Sequence, residues 1–390
     1  MKFNRSLYII LLFCFVAASC KYTNGKKKEL ITTDGKIDIP VKKWALKDFY
    51  SDEKQLAFLV DSIYNSIDDD EKAAQLIMPA VSDQIRNKYP FSKILALYGK
   101  KLIGGVLFLK NKTGTVKDEM LLLKHFEDSL NLLPLIYTCD GEPALFHKKF
   151  TDTDSLKKAS EQITLSDVLT ATKAVSGQIK AMNLNWNFAP VGDLSFNEAI
   201  IGNRSFGSNK EDVIQKCCLF INTSNQFNIV TSLKHFPGHG DVIGDSHKGI
   251  VTINGAMNEL ECFRKIIEIA KPISVMVGHI AVNNRTRFNT KGLPSSLSKI
   301  IVTDLLKDSL NFNGIKVTDA MGMGAVKDIP DADFKAIQAG NDVVVMPKNV
   351  QLLHDQIGMI LKQNSGLKIQ VVESIKKIIR LKICAGVIKL

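Results

Sequence analysis

The chain of 390 residues is long enough for one large α/β barrel or two smaller domains. With 45% hydrophobic and 23% charged residues, it has the balance of a folded globular protein with a large core, which excludes a disordered or fibrous chain. The formal net charge of +11 would suit a polyanion, but the lysines are scattered apart from Lys26, Lys27 and Lys28. No aromatic-basic stripe accompanies them, so the charge reads as a solvated surface and nucleic acid is not an expected partner.

The first segment reads as a targeting sequence. Lys2 and Arg5 form a basic start, and Leu7 to Val16 is an apolar stretch too short to span a bilayer. Ala17-Ala18-Ser19-Cys20 follows and resembles a bacterial lipoprotein cleavage box, in which Cys20 becomes the lipidated first residue; an ordinary secretory peptide is the alternative. The expected organisation is a signal peptide over 1–19, a polar Lys-rich tether over 20–45, and a single catalytic domain over 46–390. Acyl chains on Cys20 would make a lipid membrane a partner and place the protein in a bacterial cell envelope. After Cys14 and Cys20, five widely spaced cysteines remain, with no CxxC pair, so neither a disulfide framework nor a thiolate zinc site is expected.

Eight short runs rich in Val, Ile and Leu read as strands: 76–78, 105–109, 134–138, 186–189, 230–233, 274–277, 314–317 and 342–346. Helical patterns lie between them, at Ala159 to Met182, Lys210 to Phe227, Asn258 to Ala270 and Ser298 to Leu310. Two more fill the tail, one ending near Lys362 and one over Ile369 to Leu381. The alternation predicts a TIM-like (β/α)8 barrel in the α/β class, with a doubly wound open sheet as the alternative. No GxGxxG or Walker motif follows a strand, so no nucleotide cofactor is expected.

In a barrel, chemistry sits at the C-terminal ends of the strands. Six successive strand ends carry polar or ionisable groups: Asn111; Asp140 and Glu142; Asp193; Lys234 and His235; His279; and Thr318 with Asp319. Loop polarity alone could supply them, but unpaired ionisable groups beside buried strands are costly unless they face a cavity. The run from Lys234 to His247 holds three of the seven histidines and two aspartates. Pro237, Gly238, Gly240 and Gly244 disfavour a regular helix, so it reads as a loop leaving a strand.

Lys234-His235-Phe236-Pro237-Gly238-His239-Gly240, followed by Asp245-Ser246-His247, resembles glycoside hydrolase family 3, within it the single-domain β-N-acetylhexosaminidases. Phe188-Ala189-Pro190-Val191 with Asp193, Asn203-Arg204-Ser205-Phe206, Val275 to His279, Gly314 to Met321, and Ala339 to Asp342 with Met346-Pro347 agree in order. The resemblance covers roughly residues 65–350 and implies a TIM-like catalytic domain. It implies a retaining double displacement with Asp319 as nucleophile, where the residues alone leave a helix N-cap Asp equally open. It implies an acid/base built from His247 and Asp245. An imidazole titrating near pH ~6.5 can protonate a leaving oxygen and later deprotonate water, while the aspartate orients the ring. Gly240 and Gly244 would then act as hinges. A surface histidine, or a metal site from His235, His239, Asp241 and His247, are the alternatives; no metal is expected.

The resemblance further implies that Lys234, His235, Arg204 and Asp140 bind the sugar. The sequence departs from the family at Asp140-Gly141-Glu142-Pro143-Ala144, where Asp-x-Glu-Gly-Gly followed by an Arg is usual. Lys148 stands near the place of that Arg, and a lysine cannot reproduce a bidentate contact. The implied function is a lipid-anchored monomeric exo-β-N-acetylglucosaminidase acting on peptidoglycan-derived or related glycans, without cofactor. Alternatives are a phosphorylase of the same branch, another β-glycosidase such as a β-glucosidase, and a sugar-binding lipoprotein without activity.

Overall fold

The computed structural model describes residues 42–82 and 89–390. The expected signal peptide, Cys20 and nearly all of the tether lie outside the described residues. The fold begins earlier than the sequence suggests. Trp44, within the expected tether, is buried beside Leu46 and Phe49 in the main apolar core.

The strands are β1 (Ile77–Met78), β2 (Ala80–Val81), β3 (Gly105–Phe108), β4 (Ile136–Cys139), β5 (Trp186–Asn187), β6 (Val230–Phe236), β7 (Val251–Asn254), β8 (Ser274–Val277), β9 (Ile280–Asn283), β10 (Ile315–Thr318) and β11 (Val344–Val345). Seven form one parallel sheet in the order β10-β8-β6-β5-β4-β3-β2. β1 and β2 are one stave interrupted by Pro79, and β1 pairs in parallel with β11. Val343, just before β11, bridges Val317 of β10, and the Thr318 N–H donates to the Val343 carbonyl at 3.1 Å. The sheet therefore closes into an eight-stave parallel barrel. All eight expected runs are staves.

Helices separate the staves, including Thr113–Leu130, Leu165–Ala181, Lys210–Gln226, Leu260–Ala270, Ile300–Ser309 and Ala332–Ala339. Leu165–Ala181 shows why such segments are helical. Thr164 accepts from the Asp167 N–H while the Asp167 carboxylate accepts from the Thr164 N–H, a reciprocal cap on two otherwise unpaired donors. Val168, Ala171, Thr172, Val175 and Ile179 then recur every three or four residues and bury one face. Asn183, with φ of 58°, turns the chain back towards β5.

The barrel interior is tied by a short polar ladder. Trp186 Nε1 donates to Ser232 Oγ at 2.8 Å, and Ser232 Oγ donates to Ser274 Oγ at 2.9 Å, linking β5, β6 and β8. Trp186 is fully buried, so Trp186→Ala would cost on the order of 3–5 kcal/mol in lost burial and cavity formation. The tail belongs to the same body. Lys316 Nζ on β10 lies 3.0 Å from Asp342 Oδ2, and Ser374 Oγ on the helix Gly366–Cys384 donates to Asp342 Oδ1 at 2.6 Å.

One element departs from the sequence reading. β7 and β9 form a separate two-stranded parallel pair, β7 following the histidine-rich loop and β9 following β8. β7 buries Val251 and Ile253 and exposes Asn254. Val251 and Ile253 alternate with the polar Thr252 and Asn254, so β7 lacks the continuous apolar run by which the staves are read.

Candidate active site

Every barrel strand runs the same way, so every C-terminal end opens on one rim. A cavity of about 380 Å³ lies there, lined among others by Asp140, Lys149, Arg204, Lys234, His235, His247 and Asp319. Leu107, Leu109, Phe188, Met276, Met323 and Met346 supply its apolar walls. A few converging polar groups in an apolar cleft of this size suit one small ligand unit.

Asp319 directly follows β10. Its N–H donates to the Val277 carbonyl at 3.0 Å, and its Oδ1 accepts from the Ala320 N–H at 2.7 Å. Burial alone would push its carboxyl up, but nearby His235 and His279, the Ala320 N–H and Lys234 outweigh this and hold it down at about 2. His279 is buried behind it, with Nδ1 2.6 Å from Ser296 Oγ and Nε2 3.1 Å from the Ala320 carbonyl. A carbonyl only accepts, so the partners place the His279 proton on Nε2.

His247 approaches from the loop. Its Nδ1 is 2.9 Å from Asp245 Oδ1, which also accepts the His247 backbone N–H at 2.9 Å. The carboxylate fixes the ring through Nδ1, leaving Nε2 to serve a ligand. The His247 side chain is 60% exposed, which sets it apart from the strand-end groups, whereas Asp245 at 21% is as enclosed as Asp140 at 20%.

The remaining polar wall is a chain of ion pairs. Lys149 Nζ contacts Asp140 Oδ2 at 2.7 Å, and Lys234 Nζ contacts Asp140 Oδ1 at 2.6 Å and Glu142 Oε1 at 2.5 Å. Arg204 donates twice to Glu142, from Nε and Nη2, both at 2.7 Å. Burial would raise the Asp140 carboxyl, but the two ammonium groups overcome it and hold it far below the usual carboxylate range. For Glu142, burial is likewise outweighed by Arg204 and Lys234. His235 is fixed from behind: Asp193, fully buried, accepts its backbone N–H at 3.1 Å and lies 2.6 Å from Nδ1. Its Nε2 is 3.4 Å from Arg204 Nη2.

The structure thus brings Asp319, His247, Asp245, Asp140, Arg204, Lys234 and His235 together at one rim. Lys148 is corrected: its side chain is exposed and does not line the cavity, whereas Lys149 does. Both sit on the one-turn helix Phe146–Lys149. There the Asn111 N–H donates to the Lys149 carbonyl at 2.9 Å and the Thr151 N–H to the Asn111 carbonyl at 3.2 Å, fixing which lysine turns inward. The sequence reading also left Glu142 and Asp193 out of the site, although both were visible as ionisable groups at strand ends; both are buried behind the cavity and hold Arg204, Lys234 and His235. Glu259, which clamps the loop base by accepting from the Leu194, Gly240 and Asp241 N–H groups, had no such signal.

Gly240 is not a free hinge. A Cβ there would stand 1.8 Å from the Leu194 carbonyl oxygen, so glycine is needed for close approach. The four residues of the alternative metal site have separate partners: Asp193 for His235, Ser246 for His239, Asn258 for Asp241 and Asp245 for His247.

A closed parallel barrel with carboxylates and cations around one small cavity at its C-terminal rim is an architecture glycoside hydrolases use. The chain belongs to glycosyl hydrolase family 3: the profile of that family's N-terminal domain matches residues 69–381. It is 27% identical over 306 residues to a β-hexosaminidase A of Pseudoalteromonas piscicida, a match covering 71% of this chain and 49% of that one. It therefore spans about half the length of this curated relative. A β-N-acetylglucosaminidase structure from Paenibacillus sp. FPU-7 superposes with a TM-score of 0.73 at 22% identity, covering 83% of this chain and 63% of that one. A β-glucoside phosphorylase bound to 2FGlc gives 0.74 at 21% identity, covering 86% and 62%. At these identities the two structures speak to the fold.

Proposed function

We propose that the protein is a retaining exo-β-N-acetylglucosaminidase that removes terminal N-acetylglucosamine from peptidoglycan-derived or related glycans. The observation that carries this reading is that Asp319 and His247, the latter bonded to Asp245, line the same cavity from different elements. Asp319, held ionised, attacks the anomeric carbon while His247 Nε2–H gives its proton to the departing glycosidic oxygen. The C–O bond to the leaving group breaks as the ester bond to Asp319 forms. In the second half, His247 takes a proton from water, whose oxygen displaces Asp319 from the same carbon. Asp245 stabilises the imidazolium present when His247 acts as acid. Asp140, with Lys149 and Lys234 on its two oxygens, offers a wall of donors and acceptors for sugar hydroxyls, the kind of set that discriminates strongly between polar ligands.

The test is turnover of a chromogenic β-N-acetylglucosaminide, with the product anomer followed by NMR. Release of β-anomer in plain buffer supports the proposal; release of α-anomer would overturn retention. The same-branch phosphorylase is read from the same assay. An imidazole repels an anionic acceptor less than a carboxylate would, and in that case added phosphate gives a sugar phosphate in place of the free sugar. No release under either condition would sink the reading for this sugar.

We further propose that the chain is held at a bacterial envelope membrane by acylation of Cys20. Intact-mass measurement of the detergent-extracted protein should show an acylated N-terminal cysteine. Cys20→Ser should move the protein from the membrane to the soluble fraction.

A further inference from the structure

Between β6 and His247 the chain leaves the barrel rim and returns to it, and one side-chain bond closes that excursion on itself. His239, only 2% exposed, lies with Nε2 2.8 Å from Ser246 Oγ, and Ser246 is 1% exposed. The His239 N–H donates to Asp193 Oδ1 at 2.8 Å, the same carboxylate that holds His235. On the far side, the Ser246 carbonyl accepts from the Ala325 N–H at 3.1 Å and the His247 carbonyl from the Gly324 N–H at 3.0 Å. Between these fixed points Asp241, Ile243 and Gly244 are exposed, Ile243 almost completely.

We propose that His239 is a positioning residue whose bond to Ser246 sets the presentation of His247 over the cavity. The inference rests on His247 being the acid/base. His239 touches neither the cavity nor a reacting atom, so it acts through its neighbour. His247 has a largely exposed side chain and is tied sideways to Asp245, so its placement depends on what anchors the backbone at Ser246. The contacts to Gly324 and Ala325 are backbone to backbone and give no side-chain control. His239–Ser246 supplies that control and connects the acid/base, through Asp193, to the ring of His235 in the cavity. His239 Nδ1 is buried without a hydrogen-bond partner. A buried polar atom left unsatisfied costs stability, which argues that the residue is retained for what Nε2 does. A merely structural histidine predicts otherwise: its loss would lower stability and affect all substrates alike.

The experiment compares wild type, Ser246→Ala, His239→Ala and His239→Gln on aryl β-N-acetylglucosaminides of graded leaving-group acidity. Misplacing a catalytic group by about 1 Å can cost about 10²-fold. Both alanine variants should therefore lose about 10²-fold in kcat/KM on the poorest leaving groups and under about 3-fold on the best, with KM little changed. The amide of His239→Gln can reach Ser246 and should recover part of the loss. Equal loss across all leaving groups, or none on any, would overturn the proposal. The underlying assignment is tested separately, by an inactive wild type or by a His247→Ala variant insensitive to leaving group. In that event hydrogen–deuterium exchange over residues 240–248 decides the tether itself. Faster exchange in Ser246→Ala supports it, and unchanged exchange overturns it.

Discussion

Asp319 and His247 line one cavity, yet the chain supports them in opposite ways. Asp319 sits one residue beyond a buried strand, with its backbone bonded to β8 and its carboxylate bonded to its own turn. His247 hangs on a loop, largely exposed, and is held by one carboxylate and by backbone contacts. The difference matches the chemistry each would perform. A nucleophile must hold one position against one carbon through both steps. An acid/base must meet a leaving group in one step and a water in the next, and a loop accommodates both.

The largest expected effect removes the rigid partner. Asp319→Asn should lower kcat by at least about 10⁴-fold on every leaving group while leaving the melting temperature near that of the wild type. Activity within about tenfold of wild type would refute the nucleophile. The loop partner should behave differently. His247→Ala should cost roughly 10²–10⁴-fold on substrates with poor leaving groups and far less on activated aryl glycosides. If both variants lose activity with the same leaving-group profile, the division of roles between strand end and loop fails.

A smaller effect separates two adjacent lysines. Lys149 bonds Asp140 within the cavity, and Lys148 points to solvent. Lys149→Ala should lower kcat/KM by about tenfold or more, mainly through KM, since a charge-assisted hydrogen bond contributes about 1.5–3 kcal/mol. Lys148→Ala should be silent. The reverse result would restore the residue that the family resemblance singles out.

That pair shows where the sequence stops being legible. The eight staves could be read because strands buried on both faces need continuous runs such as Val343 to Val345, and such runs stand out. Asp319, His247 and Lys234 could be read because they sit in or next to long ordered motifs. Lys149 could not. Which face of a one-turn helix meets the cavity is decided by its pairing with Asn111, far away in sequence. Glu259 lies even further from any local signal, since its partners Leu194 and Gly240 come from two other loops. Glycines carry the same lesson. Gly240 looks like a hinge in sequence, but the structure uses its missing side chain to let the Leu194 carbonyl come close.

The subtlest way to sharpen the contrast is pH. The Asp319 carboxyl is held at about 2, below the ordinary value of 3.8, so it stays ionised until the pH falls through about 2. Protonation of Asp319 is therefore not the expected source of any loss of kcat/KM on the acid side between pH 4 and 6. A stability signature should accompany this. A depressed carboxyl contributes stability that is fully present above its unfolded value of about 3.9 and is lost as the pH falls through the folded value. The stability difference between wild type and Asp319→Asn should thus shift against the wild type as the pH drops from about 4 towards 2. Thermal melts across that range measure it. A difference that does not change with pH would mean that His235, His279 and Lys234 do not hold the charge on Asp319, and that strand-end rigidity alone distinguishes it from the loop histidine.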